Sequence, residues 1–145
     1  MPKNHAGGAR FVSDSPEATR AFAAKFAKNL PDDAFVALSG DLGTGKTAFV
    51  KGIAEGLGIS ARVKSPSYNI LSLYDAPDGR KLAHIDAYRL DSPEAFENLA
   101  LDEVAPAPRC VCVEWWENVA ECVPQEAIKI EMSILPDGRH AITIL

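Results

Sequence analysis

Apolar positions recur along the chain in two rhythms. Ala18, Phe22, Phe26 and Leu30 stand four apart and predict one face of a helix. Ser15 ahead of Pro16 and Glu17 marks its start: a capping hydroxyl, proline in the first turn and an early acid. Lys25 and Lys28 suit the negative end of its dipole, and Pro31-Asp32-Asp33 breaks it. Phe49, Val50, Ile53 and Leu57 predict the inner face of a second helix from about Lys46 to Leu57, with Gly56 and Gly58 at its end. The other rhythm is that of strands. Phe11-Val12-Ser13 is a short candidate, and Phe35-Val36-Ala37-Leu38 is a continuous apolar run. The stretches 68–74 and 81–86, parted by Asp75-Ala76-Pro77-Asp78-Gly79-Arg80, predict a hairpin. Asp91-Ser92-Pro93-Glu94 repeats the helix-start pattern, with Phe96, Leu99 and Leu101 facing inward from the helix it opens. Arg109-Cys110-Val111-Cys112-Val113-Glu114 predicts a buried strand, and Trp115 to Cys122 a short helix. Residues 127–134 and 141–145 predict two strands about the turn Pro136-Asp137-Gly138-Arg139. Met1 to Arg10 reads as a loose leader to a single domain.

The sum is an α/β layer structure. Its central sheet is expected to be mostly parallel around the 35–38 strand, with antiparallel edge strands and flanking helices. The length of 145 residues suits one domain with its own core. A net charge of −5 argues against broad, charge-driven nucleic-acid binding by this chain alone. No apolar run approaches a membrane span, so no membrane is expected among its partners. Three cysteines leave no complete disulfide set, and buried thiols in a reducing cytoplasm are the expectation. Charge is uneven: from Pro93 to Glu126 eight acids face one base, Arg109. That run reads as a solvated helical face or a docking surface for a basic partner.

The chemistry centres on Gly40-Asp41-Leu42-Gly43-Thr44-Gly45-Lys46-Thr47, a G-x-x-x-x-G-K-T stretch between strand and helix. This is the setting a phosphate loop of a P-loop NTPase requires. Glycines let the backbone wrap an anion, and its N–H groups join the positive end of the helix behind it. Lys46 supplies a cation for the β- and γ-phosphates, and the Thr47 hydroxyl a ligand for Mg²⁺. A nucleotide hydrolase also needs an acid at the end of a neighbouring strand. Asp86 and Glu114 both close apolar strands and compete for that place, Glu114 on the more apolar run. His84 reads as a packed or hydrogen-bonded strand residue rather than a metal ligand.

Four separated segments then fall together: the 40–47 loop, Lys64-Ser65-Pro66-Ser67-Tyr68, His84-Ile85-Asp86-Ala87-Tyr88-Arg89-Leu90 and Val113-Glu114-Trp115. In order and spacing, across about residues 11–120, they resemble the bacterial TsaE (YjeE) family. The resemblance implies a small ATPase, weak alone, that acts with the TsaD–TsaB pair in making threonylcarbamoyladenosine in tRNA. ATP and Mg²⁺ are its implied cofactors, and tRNA is reached through the complex. Carried over, Gly43, Thr44, Gly45, Lys46, Thr47 and Ala48 would hold the phosphates, and Thr47 and Glu114 would hold Mg²⁺. Asp86 would be the essential acid near the γ-phosphate, with Lys46 and Glu114 sharing in catalysis and Trp115 beside the site. Residues 65–68 would face the nucleotide, and Ser15 to Thr19 would lie near the adenine. Ala48, Ser67, Asn69 and Trp116 depart from the family's usual residues. A small-molecule or nucleotide kinase with the same loop is the rival reading. A GTP switch lacks its Asn-Lys-x-Asp segment here, and a non-catalytic nucleotide-binding scaffold would not need Asp86.

Overall fold

A computed structural model describes residues 9–66 and 69–145. One seven-stranded sheet runs through it in the order β1-β7-β6-β2-β5-β4-β3. The strands are β1 Ala9–Ser13, β2 Ala34–Ser39, β3 Leu71–Asp75, β4 Lys81–Asp86, β5 Arg109–Glu114, β6 Ile128–Ile134 and β7 His140–Ile144. The four inner strands β6, β2, β5 and β4 are parallel, and the pairs β1–β7, β6–β7 and β3–β4 are antiparallel. This is the mixed sheet that the continuous apolar runs and flanking hairpins imply.

The pleat sorts the core into two layers. Val36, Leu38, Leu82, Cys110, Cys112, Ile130 and Ile142 face one side, under α1 (Pro16–Lys28) and α2 (Lys46–Gly56). Ala83, Ile85, Val111 and Val113 face the other. There they meet α3 (Pro93–Glu97), α4 (Leu101–Val104) and the 3-10 segment Trp116–Cys122. Cys110 and Cys112 are buried and free, and their mutual hydrogen bond, then burial, pushes the Cys112 thiol well up. No helix among the described residues is long and apolar enough to cross a membrane.

Local signals place the helices. The Ser15 hydroxyl accepts from the Ala18 amide at 3.0 Å, and that of Ser92 from the Ala95 amide at 3.2 Å. Each satisfies an amide the helix start leaves free. Ser15→Ala is expected to lower stability by about 1 kcal/mol in urea denaturation, with the slope unchanged.

Two expectations need correction. The leader does not extend to Arg10: Ala9 and Arg10 are already in β1, opposite Ile144 and Thr143 of β7. Backbone pairing recruits them, although their side chains are exposed on an edge strand and carry no apolar signal. The single helix after Asp91 is two, α3 and α4, separated at Ala100, whose φ is +54°. Leu99 and Leu101 still pack against the second core layer. The break lies at a residue type that favours helix, so no composition signal marks it.

The acid-rich stretch lies along this second layer. Glu97, Asp102, Glu103 and Glu121 rim an open groove floored by Phe35, Phe96 and Leu101. Arg109 closes part of it through ion pairs with Asp102 at 2.8 Å and Asp33 at 3.8 Å.

Candidate functional site

The ends of the parallel strands set the site. Leu38 of β2 lies opposite Glu114 of β5, and Glu114 lies opposite Asp86 of β4. Paired residues of parallel strands point to the same face, about 5 Å apart from strand to strand. Both acids therefore end their strands at one level, on the face that carries α2. The chain leaves β2 at Ser39 and enters the glycine-rich loop at the same edge.

The loop folds tightly. A methyl on Gly40 would lie 2.5 Å from the Met132 carbonyl oxygen and 2.7 Å from Thr44 Oγ1, so only glycine fits between β6 and the returning loop. Gly45 caps α2 with φ of +101°, in the left-handed region that a side chain disfavours. Thr44 Oγ1 donates to the Asp41 carbonyl at 2.8 Å, and the Phe49 amide donates to the Gly45 carbonyl at 3.0 Å. Gly43 has φ of +83° and no atom within 4 Å of where a methyl would stand, so the loop crest faces open space. The backbone can present its amides there to an anion.

Lys46, in the first turn of α2, is 5% exposed. Its Nζ donates to the Gly40 carbonyl and, at 3.1 Å, to the Asp41 carbonyl. It also lies 4.5 Å from the centre of the Trp115 ring. Burial pushes its pKa below the ordinary lysine value, and Glu114, Asp86, Asp41 and Glu117 oppose that shift in declining order. The same acids that the strand register brings to the edge thus act on this ammonium.

Trp115 turns the chain out of the sheet directly after Glu114, with φ of +58°. A bulky residue in that region carries strain and is uncommon. Its ring meets Tyr88 edge-on, with centroids 5.1 Å apart. It also helps line a cavity of about 460 Å³ beside the loop, with Ser39, Gly40, Asp41, Thr44 and Glu131. Trp116 is half-buried, its indole 5.0 Å from Lys129 Nζ, so neither tryptophan is fully exposed.

The remaining sequence candidates are distributed as follows. Thr47 and Ala48 occupy the first turn of α2 beside Lys46, both half-buried. Asp86 Oδ1 accepts from the Tyr88 amide at 3.0 Å and caps the 3-10 turn Ala87–Arg89. Thr19 is buried, and its hydroxyl donates to Ser13 Oγ at 2.7 Å, tying α1 to β1. Ser67 and Tyr68 of the 65–68 stretch lie outside the described residues.

Sequence reasoning left one partner unassigned. His84 is fully buried and its Nε2 lies 2.6 Å from Glu114 Oε2. His84 and Asp86 are two apart on one strand and so share a face, but that this face carries Glu114 follows only from the register of β4 on β5.

Among the described residues no cluster of three or more His, Cys, Asp or Glu side chains is placed to hold a metal ion. The chemistry present nevertheless suits a hard cation. A threonine hydroxyl and carboxylates at one sheet edge are oxygen donors of the kind magnesium takes together with phosphate oxygens and water.

The family model described as "Threonylcarbamoyl adenosine biosynthesis protein TsaE" matches residues 13–141. The chain belongs to the TsaE family. A TsaE protein of Treponema pallidum (strain Nichols) is 37% identical over 136 residues, covering 93% of this chain and 98% of that protein. The TsaE of Bacillus subtilis (strain 168) is 42% identical over 133 residues, covering 89% and 80%. Both are described as tRNA threonylcarbamoyladenosine biosynthesis proteins. A crystal structure titled "Crystal structure of Bacillus subtilus YdiB" superposes with a TM-score of 0.78 at 34% identity, over 97% of this chain and 87% of that one. In this TsaE-family chain the match spans the glycine-rich loop, both acids and Trp115.

Proposed function

We propose that this chain is a magnesium-dependent ATPase. It acts with TsaD-like and TsaB-like proteins in the threonylcarbamoyladenosine modification of tRNA and supports their repeated turnover. One observation carries the reading: Asp86 and Glu114 end adjacent parallel strands at one level, next to a glycine-rich loop whose lysine feels both acids. A structural turn alone would not need two carboxylates and a buried ammonium at one sheet edge.

In this reading the amides of Gly43 to Ala48 and the α2 N-terminus hold the phosphates. Lys46 leaves the Gly40 and Asp41 carbonyls and turns to the β- and γ-phosphates. Thr47 and Glu114 would hold Mg²⁺, which would neutralise phosphate charge. Asp86 orients the attacking water and accepts its proton. Ala48 offers its amide but no hydroxyl. With a net charge of −5, the chain reaches tRNA through its partners.

The decisive experiment measures phosphate release from ATP by the chain alone, with the TsaD–TsaB pair, and with tRNA added. Release stimulated by the pair is expected; no release under any condition refutes the reading. ADP formed without free phosphate would point to a kinase. The arginines offer little for a kinase lid, since Arg80, Arg109 and Arg139 are each paired with nearby aspartates.

Lys46→Ala tests the phosphate role. Losing charge-assisted hydrogen bonds worth about 1.5–3 kcal/mol is expected to weaken nucleotide binding roughly 10- to 100-fold by calorimetry. Unchanged affinity removes Lys46 from the site.

A further inference from the structure

His84 has no role in the function above, yet it is the least accessible polar side chain near the site. It is 0% exposed, on β4, two residues before Asp86. Its register partner is Cys112, one pleat below Glu114 on the same face. The imidazole thus reaches diagonally across to the neighbouring strand's terminal carboxylate, at 2.6 Å. Glu114 is itself only 5% exposed.

A buried carboxylate without a donor is costly, and so is a buried ring nitrogen bearing an unpaired hydrogen. Among the described residues, Nδ1 of His84 has no hydrogen-bond partner. A hydrogen there would be stranded, so the ring hydrogen belongs on Nε2, where Glu114 Oε2 accepts it. That bond takes one of the two carboxylate oxygens and fixes the direction of the other. Its register partner Cys112 and its same-face neighbour Leu82 are both 0% exposed, so the ring lies in the buried interior of the sheet face.

We propose that His84 is the positioning residue for Glu114: it locks the carboxylate in the orientation in which it takes Mg²⁺ alongside a bound nucleotide. The proposal rests on the metal-binding role given to Glu114 above. Groups that orient a metal ligand from behind are typically worth 10- to 100-fold in metal affinity. The effect of losing His84 belongs to the metal-dependent part of nucleotide binding. The loop, which contacts phosphate without Glu114, is unaffected.

The test uses ADP as probe, titrated by calorimetry with Mg²⁺ and with a chelator, against the full chain and two variants. His84→Leu keeps an apolar side chain in the space but removes the donor. His84→Gln places an amide N–H near the position of Nε2. For His84→Leu the affinity in chelator is expected to stay within about twofold, while the gain on adding Mg²⁺ shrinks at least tenfold. His84→Gln is expected to restore most of that gain. Equal losses with and without Mg²⁺, no loss at all, or failure of His84→Gln to restore the gain when both variants melt alike would each overturn the proposal. A parent chain that binds ADP with a magnesium gain, beside a His84→Leu chain that keeps it, overturns this proposal alone. A parent chain that binds no ADP overturns the ATPase reading and this proposal together. Nitrogen NMR of the ligand-free chain supplies a readout independent of nucleotide. Hydrogen on Nε2, with a bond to the carboxylate that disappears in Glu114→Ala, is expected; hydrogen on Nδ1 overturns the assignment.

Discussion

Asp86→Ala is expected to lower partner-stimulated ATP hydrolysis by about 10²- to 10⁴-fold, the range for losing a positioned general base. ADP affinity is expected to change by less than tenfold, because the loop and Lys46 remain. One structural effect runs alongside. Asp86 Oδ1 caps the 3-10 turn by accepting from the Tyr88 amide, and alanine loses that bond. A cap is worth about 1 kcal/mol, whereas a domain of this kind is stable by about 5–15 kcal/mol, so the variant stays folded. Asp86→Asn separates the two effects. It keeps an acceptor for Tyr88 but removes the charge, and the same loss of rate is expected. Full hydrolysis by Asp86→Asn in the presence of the partners would take Asp86 out of the chemistry and leave it as a cap.

Gly52→Ala is expected to destabilise the chain by about 3 kcal/mol and to lower its melting temperature by about 10 °C in a calorimetric scan. Helix propensity points the other way, favouring alanine by about 1 kcal/mol. Packing decides. A methyl at Gly52 would stand 2.4 Å from the Arg20 carbonyl oxygen and 2.5 Å from Ala23 Cβ. Gly56, one turn on, meets Ala24 and Ala27 as closely, at 2.5 and 2.8 Å. The glycines of α2 thus interlock with the small residues of α1, four apart on each helix, and backbone atoms cannot step aside as a flexible side chain would. Separating the helices also loosens Phe26 on Phe49, whose rings lie 5.5 Å apart. Gly79→Ala is the control: its methyl meets nothing within 4 Å, and only a φ of +94° resists it, at about 1 kcal/mol. A Gly52→Ala chain that melts at or above its parent would show that the helix pair has slack.

What was legible in the sequence was local or strongly periodic. Ser15-Pro16 and Ser92-Pro93 announce their helices because capping needs only neighbouring residues. The 71–86 and 128–144 hairpins follow from turn chemistry between apolar runs. The apolar character of 110–113 identifies β5 as a central strand because parallel strands are covered on both faces. Both acids were visible as strand-end residues, but their common level was not. Register is a property of two strands, and the chain between them does not encode it locally. The His84–Glu114 contact needed the same cross-strand information. Gly56 was read only as a helix terminator and Gly52 not at all, because the reason for a glycine inside a helix lies on the other helix. Ala100 is the opposite case, a helix-favouring residue where the helix breaks.

The abrupt exit of the chain at Trp115 has a wider consequence. With β4 ending at Asp86 and β5 at Glu114, the carboxylates project from the rim of a hydrogen-bonded scaffold instead of from a wandering connection. On the proposed reading, changes in the connections around that rim can alter what docks there while the sheet alone holds the spacing of Asp86 and Glu114.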